Sequence, residues 1–450
     1  MPTRIFAIRD RLRQDVAAVL SPRTIKAACK TVGYRWRERK LGPVETIFLF
    51  LVQVFLGNTS CKHMARLGGR EFTDTAYCEA RSRLPLAVFL ELVPQVAAAV
   101  RGASEDSRWR GLRVWVVDGS SVSMPDEPEL QTHFGQPIGQ QPGCGFPVAK
   151  MLALFHVGTG MLLRMTLTAF GAHDMAGAAG ISKDLEAGDV VLGDRGFCSY
   201  AHLAILLGRG VFGVFRMHQQ QIVDFTPGRP TARRKGPYPR EQGLPSSRWV
   251  MAHGPRDQVV AWVKPKRRPG WMTEEEFASL PEEMLVRELR YEVATPGFRA
   301  RAITLATTLL DAEAYPAEEL ADLFYKRWRV EVNFKHMKIT MMMDVLKCKT
   351  VDGVLKEAAM YAIAYNLARS VMTESAGAQR VEPDRISLID AVRWMTDPDS
   401  EGNKPILVVN PSRPGRFEPR VRKRRPKQHP LMTKPRKEYR KDPINIGVTA

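Results

Sequence analysis

Two short apolar runs, each closing on an aspartate and then on small or turn-forming residues, restrict this chain more than any other feature. Val114 to Val117 runs into Asp118-Gly119-Ser120, and Val190 to Gly193 runs into Asp194-Arg195-Gly196. Valine-rich runs of this length, bounded by turn signals, read as strands. Between them, Met151 to Val157 and Met161 to Ala169 read as two further strands joined by a Gly-Thr-Gly turn, and Asp174 to Leu185 as an alanine-rich helix. A helix over Tyr200 to Leu207 and a strand over Val211 to Phe215 follow. Three strands, helix, strand, helix, strand predicts an α/β domain with a mixed central sheet. Adjacent strand ends lie about 5 Å apart, so two carboxylates there can share a hard cation. Like charges that close repel, and a divalent ion relieves the cost. A strand-terminal aspartate is also an ordinary cap residue; it is the repetition of the context that favours a metal.

A third carboxylate is expected from the stretch LFYKRWRVEVNFKHMK, read as part of one long helix from about residue 317 to residue 338. Phe324, Arg327, Glu331 and Lys338 fall at spacings of three, four and seven, along one helical face. Arg327 would then orient Glu331, and Lys338 would bind phosphate beside it. The plainer reading is an i,i+4 ion pair between Arg327 and Glu331. Asp311 is a rival third ligand, because it also follows a strand, Arg301 to Leu309.

Composition narrows the partner. The 450 residues carry a net charge of +19, which favours a polyanion, either nucleic acid or an acidic membrane surface. The longest apolar run, Ile47 to Leu56, is interrupted by Gln53 and is too short to span a bilayer. No apolar signal core opens the sequence, so a cytoplasmic, nucleoid-associated protein without a membrane partner is expected. The six cysteines form no Cys-x-x-Cys pair and the nine histidines no His-x-x-x-His pair, which supports neither a zinc ribbon nor a disulfide framework.

The rest of the chain divides by pattern. Residues 1–105 read as a helical, DNA-binding domain, with apolar residues at helical spacing through Ile47, Leu51 and Val54 and again through Leu86, Phe89 and Leu92. Thr73 or Asp74 is the expected cap of a helix carrying Arg81 and Arg83, which either meet DNA or form a solvated face. Residues 106–217 form the first part of the catalytic core, 218–300 a β-rich insertion and 301–400 the second part of the core. The insertion holds strand-like pieces around Trp249 to Ala252 and Val259 to Val263. Residues 401–450 form a basic tail expected to be disordered when free; Pro411 to Lys441 holds thirteen Lys or Arg against two Glu. Such a segment is either a nonspecific DNA tether or a solubility tail.

The sequences VVDGSS at Asp118, VLGDRGFCSY at Asp194 and the helix around Glu331 together resemble the DDE transposases of the insertion sequence four group. That group's helix pattern is tyrosine, two residues, arginine, three residues, glutamate, six residues, lysine. Arg327, Glu331 and Lys338 fit it, while the tyrosine position falls on Phe324 with Tyr325 beside it. The resemblance covers residues 44–370. It implies a ribonuclease-H-like α/β fold, a mixed sheet flanked by helices, with the β-rich insertion filling the 137-residue gap between Asp194 and Glu331. It also implies two Mg²⁺ (or Mn²⁺) ions held by Asp118, Asp194 and Glu331, with phosphate contacts from Arg327 and Lys338; Arg195, beside the second aspartate, either steadies the site or a phosphate or equally pairs with a structural carboxylate. The implied partners are double-stranded DNA, as terminal inverted repeats and as target, with the protein a homodimer on DNA. Some relatives flip a base onto aromatics of the insertion; Trp249 and Trp262 are the candidates, although both alternate with apolar strand residues and burial in the insertion's core is the favoured reading. The competing readings are a nuclease or resolvase that never joins strands, an inactive descendant that only binds DNA, and a basic RNA-binding or structural protein.

Overall fold

The computed structural model describes residues 4–101, 107–232, 244–292, 302–397, 432–435 and 438. Six helices come first: α1 (Arg4–Asp15), α2 (Pro22–Thr31), α3 (Pro43–Phe55), α4 (Cys61–Leu67), α5 (Asp74–Arg83) and α6 (Leu86–Arg101). Then follow β1 (Val114–Ser123), α7 (Pro128–Phe134), β2 (Val148–His156), β3 (Leu162–Ala169), α8 (Asp174–Ile181), β4 (Val190–Gly193), α9 (Tyr200–Gly208) and β5 (Phe212–Arg216). The insertion contributes β6 (Ser246–Gly254), β7 (Asp257–Val263), α10 (Glu274–Ala278) and β8 (Glu283–Glu292). The chain returns through β9 (Ala302–Thr307), α11 (Ala317–Tyr325), α12 (Arg329–Lys335), α13 (Val351–Gln379) and α14 (Leu388–Thr396).

All nine strands join one mixed sheet in the order β3-β2-β1-β4-β5-β9-β8-β7-β6. The pairs β1–β4 and β4–β5 are parallel and the rest antiparallel. The half running from β3 to β5 is the expected ribonuclease-H-like mixed sheet. The insertion does not fold apart from it: β8 pairs with β9, and β7 and β6 prolong the same sheet.

Period-two alternation sorts the strand side chains onto two faces. Val114, Val116, Ala153, Phe155, Val190, Leu192, Val214, Leu289 and Leu305 face one cluster, shared with the N-terminal helices and α13. Trp115, Val117, Leu154, Val191, Phe215, Val260 and Ala306 face the other, covered by α8 and α9. Helices α1–α6 thus share the core of the β3–β5 half of the sheet. Helix α3 is apolar on every side because it lies inside this core, and each fully buried Phe or Leu there is worth about 1.5–3 kcal/mol. The Gln53 that interrupts its apolar run accepts hydrogen bonds from Tyr77 Oη (2.8 Å) and Arg81 Nη1 (3.0 Å).

Arg81 is therefore an interior residue, and its guanidinium also lies 3.6 Å from the Phe50 ring centroid and donates to Cys348 Sγ at 3.3 Å. This corrects the expectation of DNA contact at that position. Arg83 is exposed and pairs with Glu79 at 3.4 Å. Thr73 is the cap of α5, accepting from the Ala76 amide. The basic tail lies almost wholly outside the described residues.

Candidate active site

Register, not proximity in sequence, builds the centre of the site. Val117 pairs with Gly193 and Gly193 with Phe215 in consecutive parallel ladders. The next position on each strand therefore forms a row: Asp118, Asp194 and Arg216. Asp118 has the parity of Val114 and Val116, Asp194 that of Val190 and Leu192, and Arg216 that of Val214. All three thus project from the face that α11 and α12 cover through Phe324, Val330 and Phe334. Asp118 lies within β1, whose antiparallel ladder with β2 runs on to Ser123, rather than at a strand end as the sequence suggested. Its neighbour β4 stops at Gly193, and that termination opens the space beside Asp118.

Burial is the largest influence on Asp118 and raises its pKa above the usual carboxylate value. The Gly119 amide, donating at 2.8 Å, and Arg327 counteract it, while the negative charges of Asp194 and Glu331 add to it. Asp194 Oδ1 is buried and accepts no hydrogen bond. Arg216 Nη1 lies 3.9 Å from it, an ion-pair distance too long for a hydrogen bond. The loop after Asp194 is braced by His202 of α9, whose Nδ1 lies 2.9 Å from the Phe197 carbonyl. Burial pushes His202 down to about 4, so the neutral ring donates its Nδ1 proton to that carbonyl.

The stretch expected as one long helix is instead α11, a 3-10 turn over Lys326–Trp328, α12 and a π turn over His336–Thr340. Tightening and then widening the helix re-aims its side chains. Arg327, in the 3-10 turn, is buried, with its guanidinium 4.9 Å from the Trp328 ring centroid and 5.6 Å from that of Phe324. Its ion partner is Asp118, at 3.6 Å, and not Glu331. Glu331 is exposed on α12, close enough to act on Asp118 electrostatically. Lys338, in the π turn, donates to Ser120 Oγ at 3.2 Å, two residues along β1 from Asp118. Beyond the π turn, the chain locks onto the end of β1 through Ser123 N to Asp344 O (3.0 Å) and Leu346 N to Ser123 O (2.9 Å).

The remaining candidates separate. Phe324 is buried beneath Arg327, whereas Tyr325 is exposed. Arg195 is exposed and donates to Gln219 Oε1 at 2.9 Å. Trp249 is half-buried, with a buried Nε1 that lacks a hydrogen-bond partner. Trp262 is a core residue whose Nε1 donates to Glu288. Asp311 caps its own loop by accepting from the Glu313 and Ala314 amides, which accounts for it without a metal. Among the described residues, no group of three His, Cys, Asp or Glu side chains stands close enough together to hold a metal ion. The donor chemistry nonetheless suits a hard divalent ion: an all-oxygen trio, with one buried oxygen lacking a donor and one carboxylate burdened by its neighbours.

Sequence reasoning missed Arg216 and Ser120. A signal existed for Arg216, since Val211 to Phe215 is a third apolar run closing on a charged residue. If the site cuts DNA, as the sequence resemblance implies, Arg216→Ala should slow cleavage about tenfold to a hundredfold, less than the roughly 10²–10³ lost with a fully buried donor, because Arg216 is half-exposed. Single-turnover rates on a labelled end measure this. A rate equal to wild type would reduce Arg216 to a structural counter-ion.

The family described as the transposase DDE domain matches residues 109–367, a span containing every residue of this site. The transposase InsG for insertion sequence element IS4, from Escherichia coli K12, is 26% identical over 474 aligned residues, covering 94% of this chain and 96% of its own. InsZ of the same organism is 26% identical over 140 residues, covering 30% of this chain and 46% of its own. Among solved structures, a piggyBac transposase synaptic complex with hairpin DNA aligns with 88% of this chain and 80% of its own, at 8% identity and a TM-score of 0.42.

Proposed function

This chain belongs to the transposase DDE family, within the insertion sequence four group, and from that premise we propose that it cuts DNA at insertion-sequence ends and joins the freed 3′-hydroxyl to target DNA. The observation that carries the reading is the row of Asp118 and Asp194 on adjacent parallel strands, beneath the helix that bears Glu331. These three would hold two Mg²⁺ or Mn²⁺ ions, which when bound supply Lewis-acid activation of the attacking and leaving oxygens.

The chain's own residues do the rest. Arg327, buried against two rings and paired with Asp118, would offer a fixed positive charge to a phosphate at the site. Lys338, tethered by Ser120, places a second cation on the other side of Asp118 along β1. Arg216 supplies a third from β5. Arg195 and Tyr325, both exposed at the rim, are assigned to the DNA backbone, with Phe324 as the buried seat of Arg327. Trp249 is assigned to stacking of a flipped base. The partners are terminal inverted repeats and target duplex, engaged by a homodimer.

The test is strand transfer. Labelled terminal-repeat ends incubated with the protein, Mg²⁺ and a supercoiled plasmid should become covalently joined to the plasmid. Cleaved ends that never join would replace this reading with a ribonuclease-H-like nuclease, and binding without cleavage would leave an inactive DNA-binding descendant.

A further inference from the structure

The segment between α2 and α3 reads YRWRERK, and its burial alternates: Tyr34 and Trp36 are half-buried, while Arg35, Arg37 and Arg39 are exposed. The two aromatic rings stack on each other, with centroids 6.1 Å apart and planes at 24°, and pack against the helical core. Over Tyr34 to Arg37 the half-buried and exposed residues alternate, so the rings meet the core while the arginines face solvent. A groove of about 190 Å³ opens here, bounded by this segment, the start of α3 and the end of α5, where Arg83 joins its lining. Among the described residues, Arg35, Arg37 and Arg39 make no ion pair and no hydrogen bond. Several other arginines of these helices are committed, Arg9 and Arg13 to Glu45, Arg11 to Asp15 and Arg81 to Gln53, while Arg23 and Arg66 are exposed.

Three exposed guanidinium groups without an ion pair, with the single exposed carboxylate of Glu38 among them, leave a net positive segment suited to a ligand that repeats its negative charge along a line. We propose that the Arg35–Arg37–Arg39 face is a binding surface for the sugar–phosphate backbone of duplex DNA, with the stacked Tyr34 and Trp36 rings anchoring the segment to the helical core. The assignment rests on the reading of DNA as substrate and adds to it a contact outside the carboxylate site. Phosphate contacts of this kind position a protein without reading sequence. Fixed rings beneath the cations reduce the ordering that binding must impose.

Salt dependence tests the surface directly. Each phosphate neutralised contributes about −0.9 to the slope of log K against log salt on duplex DNA. The triple substitution Arg35→Ala, Arg37→Ala, Arg39→Ala in the full chain should therefore make the slope shallower by about two to three and weaken binding at least about tenfold near 0.1 M salt. The matching triple lysine variant should keep most of the slope. An alanine variant with the wild-type slope would overturn the surface. So would an equal loss in the lysine variant, which would mark a structural effect rather than charge. A loss seen on anionic lipid vesicles but not on DNA would overturn it in favour of a membrane surface. Wild-type protein that fails to bind DNA at all would instead sink the functional reading on which the surface rests.

Discussion

Asp118→Asn should reduce DNA cleavage by about a thousandfold or more while leaving gel-shift binding near wild type. The substitution keeps the side chain's shape and an oxygen that can still accept from the Gly119 amide, so the backbone of β1 has no reason to move. What disappears is the negative charge that would bind a divalent ion and that now pairs with Arg327. Metal activation is worth several kcal/mol of barrier, and each 1.4 kcal/mol or so is tenfold in rate. Stability should move the other way. Burial raises the Asp118 pKa above its ordinary value of 3.8, so the folded protein holds that proton more tightly than the unfolded chain does. Stability is therefore lost as pH rises through this titration, and the neutral amide avoids the loss. Thermal unfolding at pH 7–8 should show a midpoint no lower than wild type. Cleavage at the wild-type rate in Mg²⁺ would remove Asp118 from the chemistry; lost cleavage with a collapsed midpoint would mean the substitution had damaged the fold instead.

That opposition between activity and stability explains why the site was legible where it was. Carboxylates at the ends of apolar runs are costly placements; Asp118 stands out because no cation adjoins it in sequence, and Asp194 because it repeats that context beside Arg195. Arg327, Glu331 and Lys338 were legible as a spacing, but their geometry was not. A helix read at a uniform 3.6 residues per turn places Arg327 over Glu331, and only the 3-10 and π turns direct Arg327 to Asp118 and Lys338 to Ser120. These irregularities depend on tertiary packing around Phe324 and Phe334, which no local pattern encodes. Arg216 escaped for a related reason. Its role comes from ladder register across three strands, a non-local property, although its position after an apolar run was visible. Strand β8 was missed because EMLVRELRYE carries Arg287 and Glu288 at its centre, a pattern that suits a solvated helix. Both are buried, and they fit a strand only because Asp257, Gln258 and Trp262 on neighbouring β7 satisfy them.

Arg287 is also the joint through which the insertion reaches the catalytic helix, and removing it should be among the most damaging single changes outside the site. Its guanidinium is buried on β8 and forks onto Asp257 of β7, with Nε to Oδ1 at 2.8 Å and Nη2 to Oδ2 at 2.5 Å. The remaining nitrogen, Nη1, donates to the carbonyls of Tyr315 (2.6 Å) and Asp311 (3.4 Å), in the loop that leads into α11. Arg287→Ala leaves a mostly buried carboxylate without its cation and takes the donor from two loop carbonyls. Breaking a buried pair from one side costs about 3–5 kcal/mol. Urea unfolding should show a loss of that size. Removing both partners, with Arg287→Ala and Asp257→Ala together, should cost less than the sum of the single changes, because the stranded charge is gone. A loss under about 1 kcal/mol for Arg287→Ala would mean that the insertion is held by its strand ladder alone. If the clamp operates as described, the damage reaches chemistry as well. The loop it holds sets where α11 starts, α11 runs into the 3-10 turn, and that turn holds Arg327 against Asp118. Cleavage by the variant should therefore fall even at temperatures where it remains folded, and a fully folded variant cutting at the wild-type rate would show that the helix keeps its place without the insertion.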